Sequence, residues 1–150
     1  MKQDSLDQDI RRALSFLDDD DLAMVQAEFE TVDLSAGSVL FRIGEPATIV
    51  YFLVSGRIAV QKSTGFADKL QVVALLDPGA PIGEGAVVPG QSRGATVVAI
   101  ENCRLLSLQQ QHLDIIKENN CELAWKILIR LMHVTHLRLQ KSSERLARIM

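Results

Sequence analysis

Two opposite charges lie among four glycines in the stretch PIGEGAVVPGQSRGATVVA, residues 81–99. A glycine-rich segment that opens a single helical turn, here about Glu84 to Val87, presents free backbone N–H groups that favour phosphate. Arg93 follows the tight Pro89-Gly90 connection, from where its guanidinium can donate paired hydrogen bonds to the same anion. Because a carboxylate repels phosphate, Glu84 is better placed to accept from a neighbouring hydroxyl group. Together the two residues predict a ligand that carries a phosphate and a neighbouring hydroxyl, as a sugar phosphate does.

A second interpretation of the same residues stays open. Glu84 and Arg93 could instead pair with each other as a partly buried ion pair, and GEGA could be only a turn. A lone glycine-rich loop is a weak motif, so these residues alone do not decide between a ligand site and an ion pair.

The composition indicates one ordinary domain spanning residues 1–150, long enough to bury a core. Cys103 and Cys121 lack the spacing of a disulfide framework or a metal site, so both are expected to be buried free thiols. The charged N-terminus argues against a secretory signal, and no apolar run reaches the roughly 18 residues of a membrane span. A cytoplasmic protein without membrane contact is therefore expected.

Charge is spread unevenly along the chain. Residues 1–30 hold nine acids and three bases, whereas residues 121–150 hold six bases and two acids. The asymmetry suggests that the acidic end docks on the basic end, in the same chain or a neighbour, and is too weak to argue nucleic acid binding.

Helical spacing predicts N-terminal helices over residues 1–30. Their apolar positions are Leu6, Ile10, Ala13, Leu14 and Leu17 in the first helix, and Leu22, Val25, Ala27 and Phe29 in the second. The acidic run from Asp18 to Asp21 lies between the two sets. Aspartates cap helix N-termini and favour the positive end of the dipole, so this run is expected to begin the second helix.

From about Thr31 the apolar period becomes that of strands, which predicts a compact antiparallel roll or barrel over residues 31–108. Gly37, Gly44 and Gly56 stand at the corners, where positive φ favours glycine. Residues 109–150 turn helical again. The fold class expected is α+β, mainly β.

The last predicted helix, about 27 residues long, has more apolar surface than contact with a small roll would cover. One apolar line comprises Leu123, Ile127, Leu131 and Val134, and a second comprises Leu128, Met132, Leu139 and Leu146. Thr135 and Ser142 interrupt the second line and would weaken it. A second copy of the same helix is the simplest partner, which predicts a homodimer.

The segments GSVLFRIGEPATIVYFLVSGRIAV at 37–60 and IGEGAVVPGQSRGATVVA at 82–99 resemble the cyclic nucleotide-binding domain of catabolite activators, protein kinase A regulatory subunits and gated channels. The resemblance covers essentially the whole chain. It implies an eight-stranded β-roll, resembling a jelly roll, with a phosphate-binding cassette at 82–95, N-terminal helices and two C-terminal helices.

The resemblance also assigns the ligand contacts. Arg93 matches the arginine that pairs with the cyclic phosphate, and Glu84 matches the glutamate that accepts from the ribose 2′-hydroxyl. Backbone contacts are implied for the flanking residues Gly83, Gly85, Ala86, Gly94 and Ala95. Pro81, Gly85 and Gly94 depart from the family pattern. Gly85 removes an anchoring side chain, and Gly94 removes a hydroxyl, which leans towards cyclic AMP over cyclic GMP.

Two charged contacts cannot supply the roughly 8 kcal/mol of micromolar binding, so walls and a cover are needed. The candidates are Val72, Leu75 and Val98 for the walls and Leu137 and Arg138, on the last helix, for the cover of the base. His136 lies near the same cover. Arg138 could stack on a purine ring.

Nothing in the sequence indicates catalysis or a bound metal or cofactor. His112, His133 and His136 lie on predicted helices without a nucleophile or metal-ligand spacing beside them. The expected function is a cyclic nucleotide sensor that signals through movement of the last helix to an unidentified protein effector or a dimer interface. The alternatives are a β-roll scaffold that has lost its ligand, and the sensor half of a truncated transcription regulator. No recognition helix follows, so DNA binding by this chain alone is not expected.

Overall fold

The computed structural model of the protein describes residues 2–66 and 69–150, with side chains from Asp7 onward. The side chain of Leu6, a predicted core position, therefore lies outside the described part. The helices are α1 Lys2–Ala13, α2 Asp19–Val25, α3 Gln110–Asn119 and α4 Cys121–Ile149. The strands are β1 Phe29–Leu34, β2 Val39–Phe41, β3 Ile49–Ser55, β4 Ile58–Ser63, β5 Leu70–Leu76, β6 Pro81–Ile82, β7 Thr96–Ala99 and β8 Cys103–Gln109. Single 3-10 turns occupy Gln26–Glu28 and Glu84–Val87.

The eight strands form two four-stranded sheets in the orders β1-β8-β3-β6 and β2-β7-β4-β5. Every pair is antiparallel. Consecutive strands rarely pair, and the chain passes back and forth between the sheets, as in a roll. The predicted α+β class and the eight-stranded antiparallel β-roll are confirmed.

The acidic run begins α2 as predicted. Asp18 is the N-cap, its side chain accepts from the Asp21 amide at 2.8 Å, and Asp21 completes a capping box. The predicted extension of this helix to Phe29 is wrong, because α2 ends at Val25 and Phe29 begins β1 opposite Leu108. Phe29 is buried edge-on against Phe52, and that packing places it in the sheet.

Two apolar clusters make the core. One fills the roll between the sheets around Leu53, Ile58 and Leu105. The other lies between the sheet of β1, β3 and β8 and the helices, and it includes Leu123, Ala124, Ile127 and Leu131 from the first half of α4. No helix in residues 2–66 or 69–150 is long and apolar enough to cross a membrane.

Charged contacts join the N-terminal helices to the rest of the chain. Arg104 of β8 pairs with Asp9 at 3.1 Å and Asp33 at 3.0 Å, and Lys126 of α4 pairs with Asp21 at 2.8 Å. The hydrogen bond from Lys126 holds the pKa of Asp21 below its usual value. The Lys126–Asp21 pair is a direct contact between the acidic and basic ends of the chain.

Both cysteines are free thiols, but only Cys103 is buried, which corrects the expectation for Cys121. Cys103 lies in β8 beneath the Gly56 corner. Cys121 is the first residue of α4 and lies on the solvent side, because the apolar side of that turn is taken by Leu123 and Ala124.

The three predicted corner glycines have positive φ, at +87° for Gly37, +88° for Gly44 and +93° for Gly56. Gly56 alone of the three also has no room for a side chain. A Cβ there would overlap the Asn102 carbonyl oxygen and lie 2.9 Å from the Cys103 Cα, whereas a Cβ on Gly37 would have nothing within 4 Å.

Gly56→Ala should therefore cost more stability than Gly37→Ala. Both variants place a side chain on left-handed backbone, which lowers the free energy of unfolding by about 1–2 kcal/mol. Gly56→Ala adds a clash with backbone atoms, which lowers it by about 1–3 kcal/mol more. Urea unfolding of the two variants measures the difference. Equal losses would show that the close approach of the Asn102–Cys103 corner does not restrict this position.

Candidate ligand-binding site

The glycine-rich stretch forms the predicted single turn, Glu84–Val87, directly after the short strand β6. Gly83 precedes it at φ +70°, and the Ala86 amide donates to the Gly83 carbonyl at 3.1 Å. The first amides of such a turn have no acceptor within it. The turn is anchored from below, because Ala86 is buried and its carbonyl accepts from the Gln110 side chain at 2.6 Å.

Arg93 reaches under this turn, and its side chain is almost completely buried, with 7 % of the residue exposed. Its Nη1 donates to the Gly83 carbonyl at 3.3 Å and its Nη2 to the Ile49 carbonyl at 2.7 Å. The guanidinium carbon lies 3.9 Å from the centre of the Phe41 ring. Two carbonyls and an aromatic face thus hold the group in one orientation.

The charge of Arg93 has no counter-ion among the described residues, since no carboxylate lies within 4 Å of it. Its Nε is buried without a hydrogen-bond partner. Burial lowers the pKa of Arg93 from its usual value, although an arginine stays charged at neutral pH. Burying a cation with an unpaired N–H donor costs folding free energy, and a bound anion that accepts from the group reduces that cost.

Gly83 must be glycine for this arrangement. A Cβ there would overlap Arg93 Nη1 and lie 3.3 Å from Phe41 Cε2, in addition to the strain of positive φ. The conformational freedom of Gly83 therefore lets the cassette backbone lie directly on the guanidinium.

Glu84 does not pair with Arg93, so the ion-pair interpretation of the two charges is wrong. Glu84 Oε1 instead accepts from Arg138 Nη1 and from Thr135 Oγ1, each at 3.2 Å. Arg138 Nη2 also donates to the Pro81 carbonyl at 2.8 Å. The carboxylate expected to bind a hydroxyl is thus occupied by α4.

A cavity of about 760 Å³ lies beside Arg93 and Glu84, between the second sheet, the cassette and α4. All seven predicted contact residues line it, namely Gly83, Glu84, Gly85, Ala86, Arg93, Gly94 and Ala95. A Cβ on Gly85 or Gly94 would have nothing within 4 Å, so these two departures widen the cavity without being required by packing.

Only one of the three residues predicted to form the apolar walls lines the cavity. Leu75 lines the cavity, but Val72 and Val98 lie outside its lining and their neighbours Val73 and Val97 take their places. Val72 pairs with Gln61 across a bulge at Val73, and successive strand residues face opposite ways. Val72 and Leu75 are three residues apart, so even a regular strand would not have placed both on one face.

Of the two residues predicted to cover the base, one lines the cavity and one does not. Arg138 lines the cavity, whereas Leu137 is 44 % exposed and outside the lining. Adjacent residues on a helix point about 100° apart, so only one of the two can face the cassette.

Several lining residues were not anticipated from the sequence. Phe41 and Ala47 come from segments far away in the sequence, and no local pattern marks them. Lys141, Ser142 and Arg145 also line the cavity. Their spacing of three, four and seven residues from Arg138 places them on one helix face, and that periodicity could have identified them.

The link between α4 and the cassette should be measurable without ligand. A double-mutant cycle with Glu84→Gln and Arg138→Met should give a coupling free energy of about 0.5–1 kcal/mol, because the pair is only partly exposed. The more exposed Arg57–Asp77 pair is the control, with an expected coupling nearer zero. No coupling between Glu84 and Arg138 would show that the contact between the cassette and α4 does not form in solution.

Comparison with known proteins gives this geometry a context. The family model described as cyclic nucleotide-binding domain matches residues 31–120. A cyclic nucleotide-gated potassium channel of Mesorhizobium japonicum is 35 % identical over 89 residues, which are 59 % of this chain and 23 % of the channel. The chain thus spans about a quarter of that relative.

Solved structures show the same fold. A cyclic nucleotide-binding domain from Methylobacillus flagellatus superposes with a TM-score of 0.88 over 96 % of this chain and 85 % of that one, at 21 % identity. The regulatory domain of Toxoplasma gondii protein kinase A, crystallised with cAMP, gives a TM-score of 0.63 over 77 % of this chain and 44 % of that one, at 26 % identity.

Proposed function

The chain belongs to the cyclic nucleotide-binding domain family, and we propose that it is a sensor whose cavity binds cyclic AMP and passes the binding event to α4. The observation that supports the proposal most is Arg93, a buried guanidinium with an unpartnered Nε and no counter-ion among the described residues. An anionic ligand in the adjoining cavity would compensate that charge.

The proposed ligand uses both charges of the glycine-rich stretch. The cyclic phosphate accepts from the Arg93 guanidinium and from amides at the start of the cassette turn. The ribose hydroxyl donates to Glu84. Each hydrogen bond to a charged group contributes about 1.5–3 kcal/mol. The apolar walls, with Val60, Leu75 and Val97 in the lining, and α4 supply the rest.

Arg138 and Thr135 both donate to Glu84 Oε1. In this proposal the ribose hydroxyl takes that oxygen, so binding rearranges the contact that holds α4 on the cassette and couples the ligand to the helix. Arg138 lines the cavity, and in this proposal it stacks on the purine once it is released from Glu84.

Cyclic AMP is preferred over cyclic GMP in this proposal. Gly94, after the arginine, offers no hydroxyl to a guanine base. The Toxoplasma gondii regulatory domain, which is 26 % identical, was crystallised with cAMP.

Cyclic AMP should stabilise the protein through Arg93. At about 100 times the Kd, one-site linkage gives about 2.7 kcal/mol, or roughly 5–10 °C in Tm for a chain of this size. Arg93→Ala should abolish the shift, while Arg42→Ala, an exposed arginine in the turn after β2, should keep it. Thermal unfolding with and without cyclic AMP measures both.

Circular dichroism of Arg93→Ala without ligand shows whether the variant is folded. If folded Arg93→Ala keeps the full shift, the assignment of Arg93 to the phosphate is wrong. If neither cyclic AMP nor cyclic GMP at millimolar concentration shifts the unmodified protein, the chain is a scaffold and not a sensor.

We further propose that α4 pairs with a second copy of itself. Its buried line faces the core, whereas a different line is exposed, comprising Trp125, Ile129, Met132, Leu139 and Leu146. With His136 and Ser143 these positions follow the alternating spacing of four and three residues of a coiled-coil seam. Leu128, expected in that seam, packs on the core instead, and Thr135 bonds to Glu84.

A charge placed in this seam should break the dimer. Met132→Lys and Leu139→Lys together should give a monomer by light scattering, because two charges cannot be buried there unpaired. Gln140→Lys adds a charge beside the seam and should leave the dimer intact. An unmodified protein that is monomeric at high concentration would exclude this interface.

A further inference from the structure

The exposed apolar line of α4 continues to Met150, which follows Leu146 by four residues and is 94 % exposed. The seam then has eight positions in alternating steps of four and three residues, namely Trp125, Ile129, Met132, His136, Leu139, Ser143, Leu146 and Met150. Two copies can overlap along the whole seam in two orientations. In a parallel pair each residue faces its own counterpart, whereas an antiparallel pair brings Trp125 opposite Met150, Ile129 opposite Leu146, Met132 opposite Ser143 and His136 opposite Leu139.

Side-chain size distinguishes the two orientations. In a parallel pair Trp125 meets Trp125 of the partner subunit and Ser143 meets Ser143 of the partner subunit, so one layer is crowded and another is nearly empty. The distance between helix axes depends on the side chains at the contact, and one distance does not suit both layers. In an antiparallel pair Trp125 meets the flexible Met150, and Ser143 meets the long Met132. These layers then join a larger residue to a smaller or more adaptable one, which fills the seam more evenly.

Charge along α4 favours the antiparallel orientation. Residues 136–150 hold four bases and one acid. The first half of the helix lies beside the acidic run that begins α2, since Lys126 pairs with Asp21 at 2.8 Å. The N-terminal helices are acidic overall, with nine acids and three bases in residues 1–30. A parallel pair sets the two basic halves side by side, where like charges repel, whereas an antiparallel pair sets each basic half along the acidic start of the partner's helix.

We propose that two copies of the chain pair antiparallel through this seam, with Trp125 of one copy opposite Met150 of the partner subunit. The inference rests on the α4 dimer of the proposed function and specifies how its two copies are oriented. The second half of α4, which holds Glu84 through Arg138, then lies on the first half of the partner's α4, which is fixed in its own core. A ligand that rearranges the Arg138 contact in one copy therefore acts on the core of the other copy, not on its cavity.

The two orientations differ in which residues come close. In the antiparallel pair Ile129 faces Leu146 of the partner subunit, and the two copies of Ile129 lie 17 residues apart along the axis, which is about 25 Å. In a parallel pair the two copies of Ile129 face each other. A disulfide forms only where the Cα atoms lie within about 7 Å, so cysteines at these two positions separate the orientations.

Cross-linking of a mixture tests the orientation. Ile129→Cys and Leu146→Cys proteins, each also carrying Cys121→Ser, are mixed in equal amounts, left to exchange subunits and oxidised in a glutathione buffer. Cys121 is replaced because it is exposed, whereas Cys103 is buried. Mass spectrometry should find the mixed disulfide between positions 129 and 146 in about tenfold excess over the like-with-like disulfides, because only the unlike cysteines fall within reach. Ile129 and Leu146 are 48 % and 58 % exposed, so neither change disturbs the core.

Two controls accompany the mixture. Arg42→Cys with Cys121→Ser places a thiol in the exposed turn after β2, outside the seam, and should give only background cross-linking. Light scattering of the unmodified protein at low and high salt tests the charge argument. Antiparallel association should weaken as salt screens the attraction between unlike ends. Association that strengthens with salt would contradict the antiparallel orientation.

The outcomes separate this inference from the proposed function. Like-with-like disulfides in excess would show a parallel pair, so the orientation would be wrong while the dimer stands. A dimer by light scattering without cross-linking at either position would exclude the seam itself. A monomeric unmodified protein would exclude both the dimer and its orientation. The proposed binding of cyclic AMP is tested separately, by the thermal shift of Arg93→Ala.

Discussion

The site depends on one constraint, a guanidinium buried without a counter-ion. Arg93 is held by the Ile49 carbonyl from one sheet, the Gly83 carbonyl from the cassette and the face of Phe41 from the other sheet. These contacts fix its orientation but leave Nε without a partner, and no carboxylate among the described residues lies within 4 Å of the charge. The fold thus maintains a buried cationic group at a cost that an anion in the adjoining cavity would reduce. Positive φ at Gly83 is part of the same arrangement, because a side chain there would displace the arginine.

The second charge of the stretch connects this centre to the rest of the chain. Glu84 accepts from Arg138 and Thr135, so α4 contacts the carboxylate to which the proposal assigns the ribose hydroxyl. The first half of α4 is fixed in the helical core, while almost all of its residues beyond Val134 are exposed. A ligand that takes Glu84 therefore acts on the segment with the fewest other restraints. The same helix carries the cavity cations on one face and the exposed apolar seam on another.

The sequence predicted the parts whose evidence is local. The alternation of apolar residues, the corner glycines, the Asp18 cap and the 3-10 turn at Glu84 all depend on neighbouring residues, and each is present. Contacts that depend on tertiary packing were missed. Val73 and not Val72 lines the cavity, Phe29 lies in β1 against Phe52 and not in a helix, and Phe41 reaches Arg93 from a distant segment. Glu84 and Arg93 line the same cavity, but the partner of Glu84 in α4 has no local pattern in the sequence.

The most direct test observes the Nε–H resonance of Arg93 by nitrogen-15 NMR, assigned with the Arg93→Lys variant. A ligand phosphate that contacts the Arg93 guanidinium should shift this resonance when cyclic AMP is added. Adenosine, which has the base and ribose without the phosphate, should leave it unchanged. Binding of cyclic AMP with an unaltered Nε–H resonance would contradict the central claim that the buried guanidinium of Arg93 receives the anion.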